Sequence, residues 1–145
     1  MPNQNDPAAL NARLRGLSPE EIIAWAVGHA AGSIIVSTNF RPYEAVLLHL
    51  AVQARPDIPV LWVDHGYNRP ATYRHAEELK SLLGLNLKAY LPAMSAAHYD
   101  ALHGGPPAPR PENEDAIRAF SAVMKIEPFR RAMRELAPAV WLTSL

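Results

Sequence analysis

The sequence predicts an α/β fold: a parallel twisted sheet with helices on both faces, Rossmann-like. Three observations predict it. Apolar, β-branched runs recur at 34–36, 60–63 and 139–142. Helical patterns separate those runs. The runs are continuously apolar rather than alternating, which suits strands covered on both faces, as in a parallel sheet. Strand and helix in alternation means βαβ units with right-handed crossovers. The expected strand order is 3-2-1-4.

Helices are expected over 7–30, the better marked one over 18–30. Ser18 can cap it, Pro19 suits the first helical position, and Glu21 completes a capping box. Ile22, Ile23, Ala26, Val27 and Ala30 follow helical spacing, and Ala31-Gly32 ends the helix. Residues 33–37 form the first strand. A helix over 43–54 is apolar nearly all round and is expected to be buried against the sheet. Residues 58–63 form the second strand, with Pro59 at its start because proline cannot donate to a ladder. Pro70 opens a helix that runs to Leu83, where Gly84 stops it. Residues 85–90 read as a third strand and 94–102 as a short helix. Four prolines between Pro106 and Pro111 make 104–113 an extended, mobile loop, suited to act as a lid. Two separate helices, 114–124 and 128–137, precede a fourth strand over 139–143. Residues 1–145 read as a single domain.

Composition narrows the function classes. Lys plus Arg equals Asp plus Glu, 14 against 14, so no broad basic field exists for nonspecific nucleic-acid binding. Apolar residues make up 49%, enough for a sizeable core. The 145 residues contain no cysteine, which removes a disulfide scaffold, Cys-ligated zinc, an iron–sulfur cluster and a thiol nucleophile from within them. The first residues lack a secretory pattern, and no apolar run approaches the roughly 18 residues of a membrane span. The expectation is a cytoplasmic domain with no membrane or nucleic-acid partner. His98 and His103 are five apart, off the spacing that places two ligands on one helical face. No metal is expected. His29 and His49 sit in apolar helical contexts and read as core or boundary residues, and Trp25, Trp62 and Trp141 as core.

In parallel sheets ligands bind beyond the carboxyl ends of the strands. Three segments there could carry chemistry. Ser37, Thr38, Asn39, Phe40 and Arg41 lie between the first strand and a helix. Hydroxyls and free backbone N–H groups at a helix start suit an anion, and Arg41 adds a charged fork; an ordinary βα turn is the alternative. Asp64, His65 and Gly66 follow the second strand. Asp64 could accept from a ribose hydroxyl, position a neighbouring loop or hold a cation, His65 could act as a general acid or donate to phosphate, and Gly66 permits a tight turn; a plain polar turn is the alternative. Lys125 lies just before a helix opened by Pro128, in a segment with five basic and two acidic residues from Arg118 onward. It could complement an anion, whereas Arg130, Arg131 and Arg134 read as a solvated helix face. Thr143 and Ser144 follow the fourth strand, as does Leu145.

Ordered along an α/β chain, these segments resemble the phosphoadenylyl-sulfate (PAPS) reductase family. That family belongs to the adenine-nucleotide α-hydrolase-like group, which also holds the PP-loop ATP pyrophosphatases. The matching residues are the loop 37–40, Leu47 to Leu50, Arg55 to Val60, and Asp64, Gly66, Tyr67, Pro70, Thr72 and Tyr73. Leu85 to Tyr90, Ser95 to Ala97, Lys125 to Pro128 and Arg131 to Leu136 continue the match. The resemblance implies reduction of the sulfuryl group of PAPS to sulfite through a cysteine thiosulfonate. It implies thioredoxin or glutaredoxin as external reductant, no bound cofactor, and a nucleotide held by the phosphate loop, the strand-two turn, Lys125 and the residues after the fourth strand. It leaves APS in place of PAPS, and a homodimer, open. Cluster-bearing relatives carry paired cysteines where Ala122 and Val123 stand, so the cluster-free branch is implied. Arg41-Pro42-Tyr43 departs from the family's small and polar residues, and the PP-loop glycines and aspartate are missing. The chain stops where the family's arginine-rich segment would begin and is expected to be part of a longer protein. A non-catalytic nucleotide-binding homologue is the alternative, with an ATP-cleaving PP-loop enzyme behind it.

Overall fold

The computed structural model describes residues 6–144; Leu145 and residues 1–5 lie outside it. Two helices lead, α1 (Pro7–Leu14) and α2 (Pro19–His29). Asp6 caps the first by accepting from the Ala8 N–H, and Ser18 and Glu21 form the expected capping box on the second. The alternating part follows: β1 (Ile34–Ser37), α3 (Glu44–Ala54), β2 (Pro59–Val63), α4 (Pro70–Leu83), β3 (Asn86–Tyr90) and α5 (Ala96–His103). α6 (Glu114–Ser121), α7 (Glu127–Leu136) and β4 (Val140–Leu142) complete it.

The strands order 3-2-1-4, and each neighbouring pair is parallel. Alternate β1 and β2 side chains serve opposite faces, as strand geometry requires. Ile34, Val36, Val60 and Trp62 pack with Ala26 of α2, Leu48 and Ala51 of α3, and Ala76 and Leu79 of α4. On the other face Ile35 and Leu61 meet Ala132, with Phe129, Met133 and Leu136 of α7 around them. A smaller cluster of Tyr99, Phe120 and Met124, with Tyr67 and Met94 against it, joins α5 to α6.

Several expectations are corrected. The 114–124 and 128–137 helices are not separate: a π-helical stretch, Ala122–Ile126, joins α6 to α7 without a break. Pro128 has no N–H, and its ring would press on the carbonyl four residues back in an ordinary helix; a widened turn makes the room. The expected 43–54 helix is not buried all round, since Tyr43 and Val46 are exposed and the packed face of α3 is Glu44, Leu48 and Ala51. Trp141 is 45% exposed, and β4 is an edge strand among the described residues. His29 and His49 are exposed. His29 stacks on Trp25 with ring centroids 4.3 Å apart.

Candidate functional site: a cationic crevice at the strand ends

The crevice is open, holds about 740 Å³, and lies where the parallel strands end. Three turns and one helical irregularity build it.

The first turn runs from β1 to α3. Phe40 adopts φ 54°, a left-handed conformation that costs a non-glycine residue about 1–2 kcal/mol. Its ring holds the loop down: Phe40 is buried and meets Trp62 edge-on at 5.0 Å. The bend turns the loop's N–H groups inward, where they are all met from within the chain. The Thr38 N–H donates to the Leu61 carbonyl at 3.0 Å, and the Phe40 N–H to the Thr38 hydroxyl oxygen at 2.8 Å. Glu44 Oε2 accepts from the Thr38 hydroxyl at 2.7 Å, the Asn39 N–H at 2.7 Å and the Arg41 N–H at 3.2 Å. The Ser144 hydroxyl approaches Glu44 Oε1 at 3.4 Å. Ser37 Oγ accepts from the Trp141 indole N–H at 2.8 Å, and Trp141 leans on Phe129.

The second turn follows β2. Asp64 Oδ1 accepts from the Gly66 N–H, the Asn68 amide and the Tyr73 hydroxyl, at 3.0, 3.0 and 2.8 Å. Gly66 has φ 80°, and a Cβ on it would stand 3.0 Å from Ala96 Cβ. The Tyr67 N–H donates to His65 Nδ1 at 3.1 Å. Neutral His65 therefore carries its proton on Nε2. Burial, with Lys125 nearby, holds His65 below the usual histidine range, against the pull of Asp64.

Lys125 rides the π-helical stretch, with Nζ 5.8 Å from the Phe120 ring centroid. That position puts Lys125 on the crevice wall with Ile126 and Phe129.

Nine of the eleven candidate residues line one crevice: Ser37, Thr38, Asn39, Phe40, Arg41, His65, Lys125, Thr143 and Ser144. Asp64 and Gly66 do not. Asp64 commits Oδ1 to shaping the turn that presents His65, and Gly66 faces α5. The Pro-rich segment contributes nothing to the wall, so a lid role is not supported. Glu44 lies at the end of the 37–44 segment but carried no role in the sequence reading, and Arg69 was missed; both are on the wall. An acid in the first turn of a helix is a common N-terminal stabiliser and signals little alone. Among the lining residues Arg41, Arg69 and Lys125 are cations and Glu44 is the one acid, an excess of positive charge in a chain with none overall.

The excess of positive charge on the wall suits an anionic ligand. Residues 33–144 match the family model for the phosphoadenosine phosphosulfate reductase domain. The chain belongs to that family. A phosphoadenosine 5'-phosphosulfate reductase from Xanthomonas oryzae pv. oryzae is 43% identical over 141 residues, covering 97% of this chain and 57% of the relative. One from a Synechococcus strain is 39% identical over 136 residues, covering 94% and 58%. The chain thus spans under two thirds of the length of these curated relatives. The crystal structure of PAPS reductase from Candida auris, a phosphate complex, matches with a TM-score of 0.81 at 25% identity, over 99% of this chain and 68% of that one. The shared fold is the parallel sheet in order 3-2-1-4 with flanking helices. Among the described residues no helix is long and apolar enough to cross a membrane.

Proposed function

We propose that this chain is the nucleotide-binding portion of a cluster-free sulfonucleotide reductase of sulfate assimilation, acting on PAPS in the cytoplasm. One observation carries the reading: the β1–α3 loop, His65, Lys125 and the residues after β4 meet on one cationic wall at the strand ends, in a chain of the PAPS reductase domain family. Ser37, Thr38, Asn39, Phe40, Arg41, His65, Lys125, Thr143 and Ser144 line the crevice that takes the nucleotide, with Asp64 and Gly66 holding the His65 turn.

Catalysis here is a matter of placing sulfur against a thiolate. A cysteine thiolate attacks the sulfuryl sulfur. The bond from sulfur to the nucleotide's phosphate oxygen breaks, and adenosine 3',5'-bisphosphate leaves with that electron pair. A reduced thioredoxin-type dithiol then displaces sulfite from the enzyme sulfur and is itself oxidised to a disulfide. The leaving group is an anion, so Arg41, Lys125 and the Nε2–H of neutral His65 stabilise it as its charge grows. These 145 residues hold no cysteine, so the thiolate comes from outside them. No metal or organic cofactor enters the scheme.

Calorimetric titration of the chain with PAPS tests the binding half. PAPS is expected to bind, and Lys125→Ala to weaken it by about 1.5–3 kcal/mol, the range for a hydrogen bond to a charged group. No binding of PAPS or APS would remove the nucleotide assignment. The same chain with PAPS and reduced thioredoxin is expected to release no sulfite; sulfite from it would overturn the thiolate mechanism.

A further inference from the structure

Every backbone N–H from Thr38 to Arg41 already has an acceptor inside the chain. Two of those four bonds, and the Thr38 hydroxyl, end on one oxygen of Glu44. Glu44 is also the one charged side chain that is buried among the described residues, at 7% exposure. The turn that looks from the sequence like a phosphate cradle thus holds a carboxylate of its own. Arg41, Arg69 and Lys125, in contrast, form no ion pair with any described residue.

We propose that Glu44 is the internal anion of the β1–α3 loop and a specificity-determining, positioning residue: it keeps the loop's donors from the ligand, so that the ligand's anionic groups are taken by the side chains of Arg41, Arg69 and Lys125. This rests on the nucleotide reading for the identity of the ligand, but not for the role of Glu44. Two consequences follow. The loop is organised before any ligand arrives, so binding does not have to order it. The Glu44 charge also opposes the ligand's charge across the crevice, so the site is tuned below the affinity its cations alone would give.

The test uses adenosine 3',5'-bisphosphate and inorganic pyrophosphate as separate probes in calorimetry. Glu44→Gln keeps the size and an acceptor oxygen while removing the charge. It is expected to bind both probes about three- to tenfold more tightly at low salt, with the gain fading at high salt as screening removes the opposing field. Glu44→Asp is expected to restore wild-type affinity. A merely structural Glu44 predicts the reverse, weaker binding that salt does not correct, and that result or unchanged affinity would overturn the proposal. A second measurement needs no variant. In the wild-type protein saturated with pyrophosphate, the amide resonances of Asn39 and Arg41 are expected to stay near their free positions, because their acceptor is unchanged. Large shifts confined to those two amides would show the anion displacing Glu44 and would overturn the proposal even if Glu44→Gln fails to fold. Should adenosine bisphosphate bind no form while pyrophosphate binds Glu44→Gln more tightly, the nucleotide reading falls and the role of Glu44 stands. If neither probe binds, the proposal falls too.

Discussion

The Tyr67 hydroxyl stands 2.6 Å from Asp100 Oδ1 and 3.0 Å from the Ala96 carbonyl oxygen, so the turn after β2 is tied to α5 by one side chain. Its single proton serves the nearer, charged acceptor first. The Tyr67 ring rests on Phe120 at 5.6 Å, so the link reaches α6 and, through it, the π-helical stretch that carries Lys125. Two crevice groups from distant parts of the chain, His65 and Lys125, are therefore held by one small aromatic cluster.

Tyr67→Phe keeps the ring and removes the bond. Urea unfolding is expected to show a loss of about 1 kcal/mol, since Asp100 is exposed and water replaces its partner. Burial, then the bond to Asp100, pushes the Tyr67 phenol up to about 12 from an ordinary 10.0. A folded pKa above the unfolded one stabilises below the unfolded value and is lost as pH climbs through the folded value. The wild-type advantage over Tyr67→Phe is thus expected to be full at neutral pH and to disappear between pH 10 and about 12. An advantage that persists above that range would contradict the bond.

His65 titrates low because burial disfavours its cation and Lys125 repels it. Lys125→Ala is expected to raise the His65 pKa, followed by its ring-proton NMR resonances against pH. A group whose folded pKa is depressed stabilises above its unfolded value, about 6.5 for histidine, and that contribution is lost as pH falls through the folded pKa. Stability linked to His65 is accordingly expected to decline below neutral pH, and less steeply in Lys125→Ala. An unmoved His65 titration in that variant would separate the two residues.

Gly66→Ala places a methyl 3.0 Å from Ala96 Cβ at a residue with φ 80°. Strain and collision together are expected to cost about 2 kcal/mol in urea unfolding. The turn presenting His65 must move as well, so ligand affinity is expected to fall in the same variant. A fully stable Gly66→Ala would mean the turn relaxes freely.

Ala137 ends α7 in the left-handed region, at φ 41°. Glycine adopts that conformation without the Cβ penalty, so Ala137→Gly is expected to stabilise the fold by about 0.5–1 kcal/mol. The site lies at the end of α7 away from the crevice wall, so nucleotide affinity is expected to stay unchanged. Destabilisation by thermal melting would contradict the backbone assignment.

By itself the sequence determined the architecture and pointed to the end of the sheet where the candidate crevice lies. Runs such as Ile34-Ile35-Val36 bury on both faces only in a covered parallel sheet, and that sheet puts its loops' functional residues at the strand ends. Capping at Ser18 and the stop at Gly84 were legible for the same reason: they are local backbone chemistry, decided within a few residues. The tertiary structure alone decided which polar groups are spent on the fold. Whether Asp64 faces a ligand or its own turn depends on Tyr73, nine residues on, and on Asn68. Trp141 reads as core from its apolar neighbours, yet it is 45% exposed on the edge strand of the described residues, and its indole reaches Ser37, 104 residues away. The widened turn at Lys125 answers Pro128 without breaking the helix, which helical periodicity cannot foresee. Glu44 was the least legible, because the donors it collects converge only when Phe40 bends the loop over Trp62. Periodicity reports the backbone each residue prefers, whereas the partner of a buried polar atom is set by what the folded chain brings within 3 Å of it.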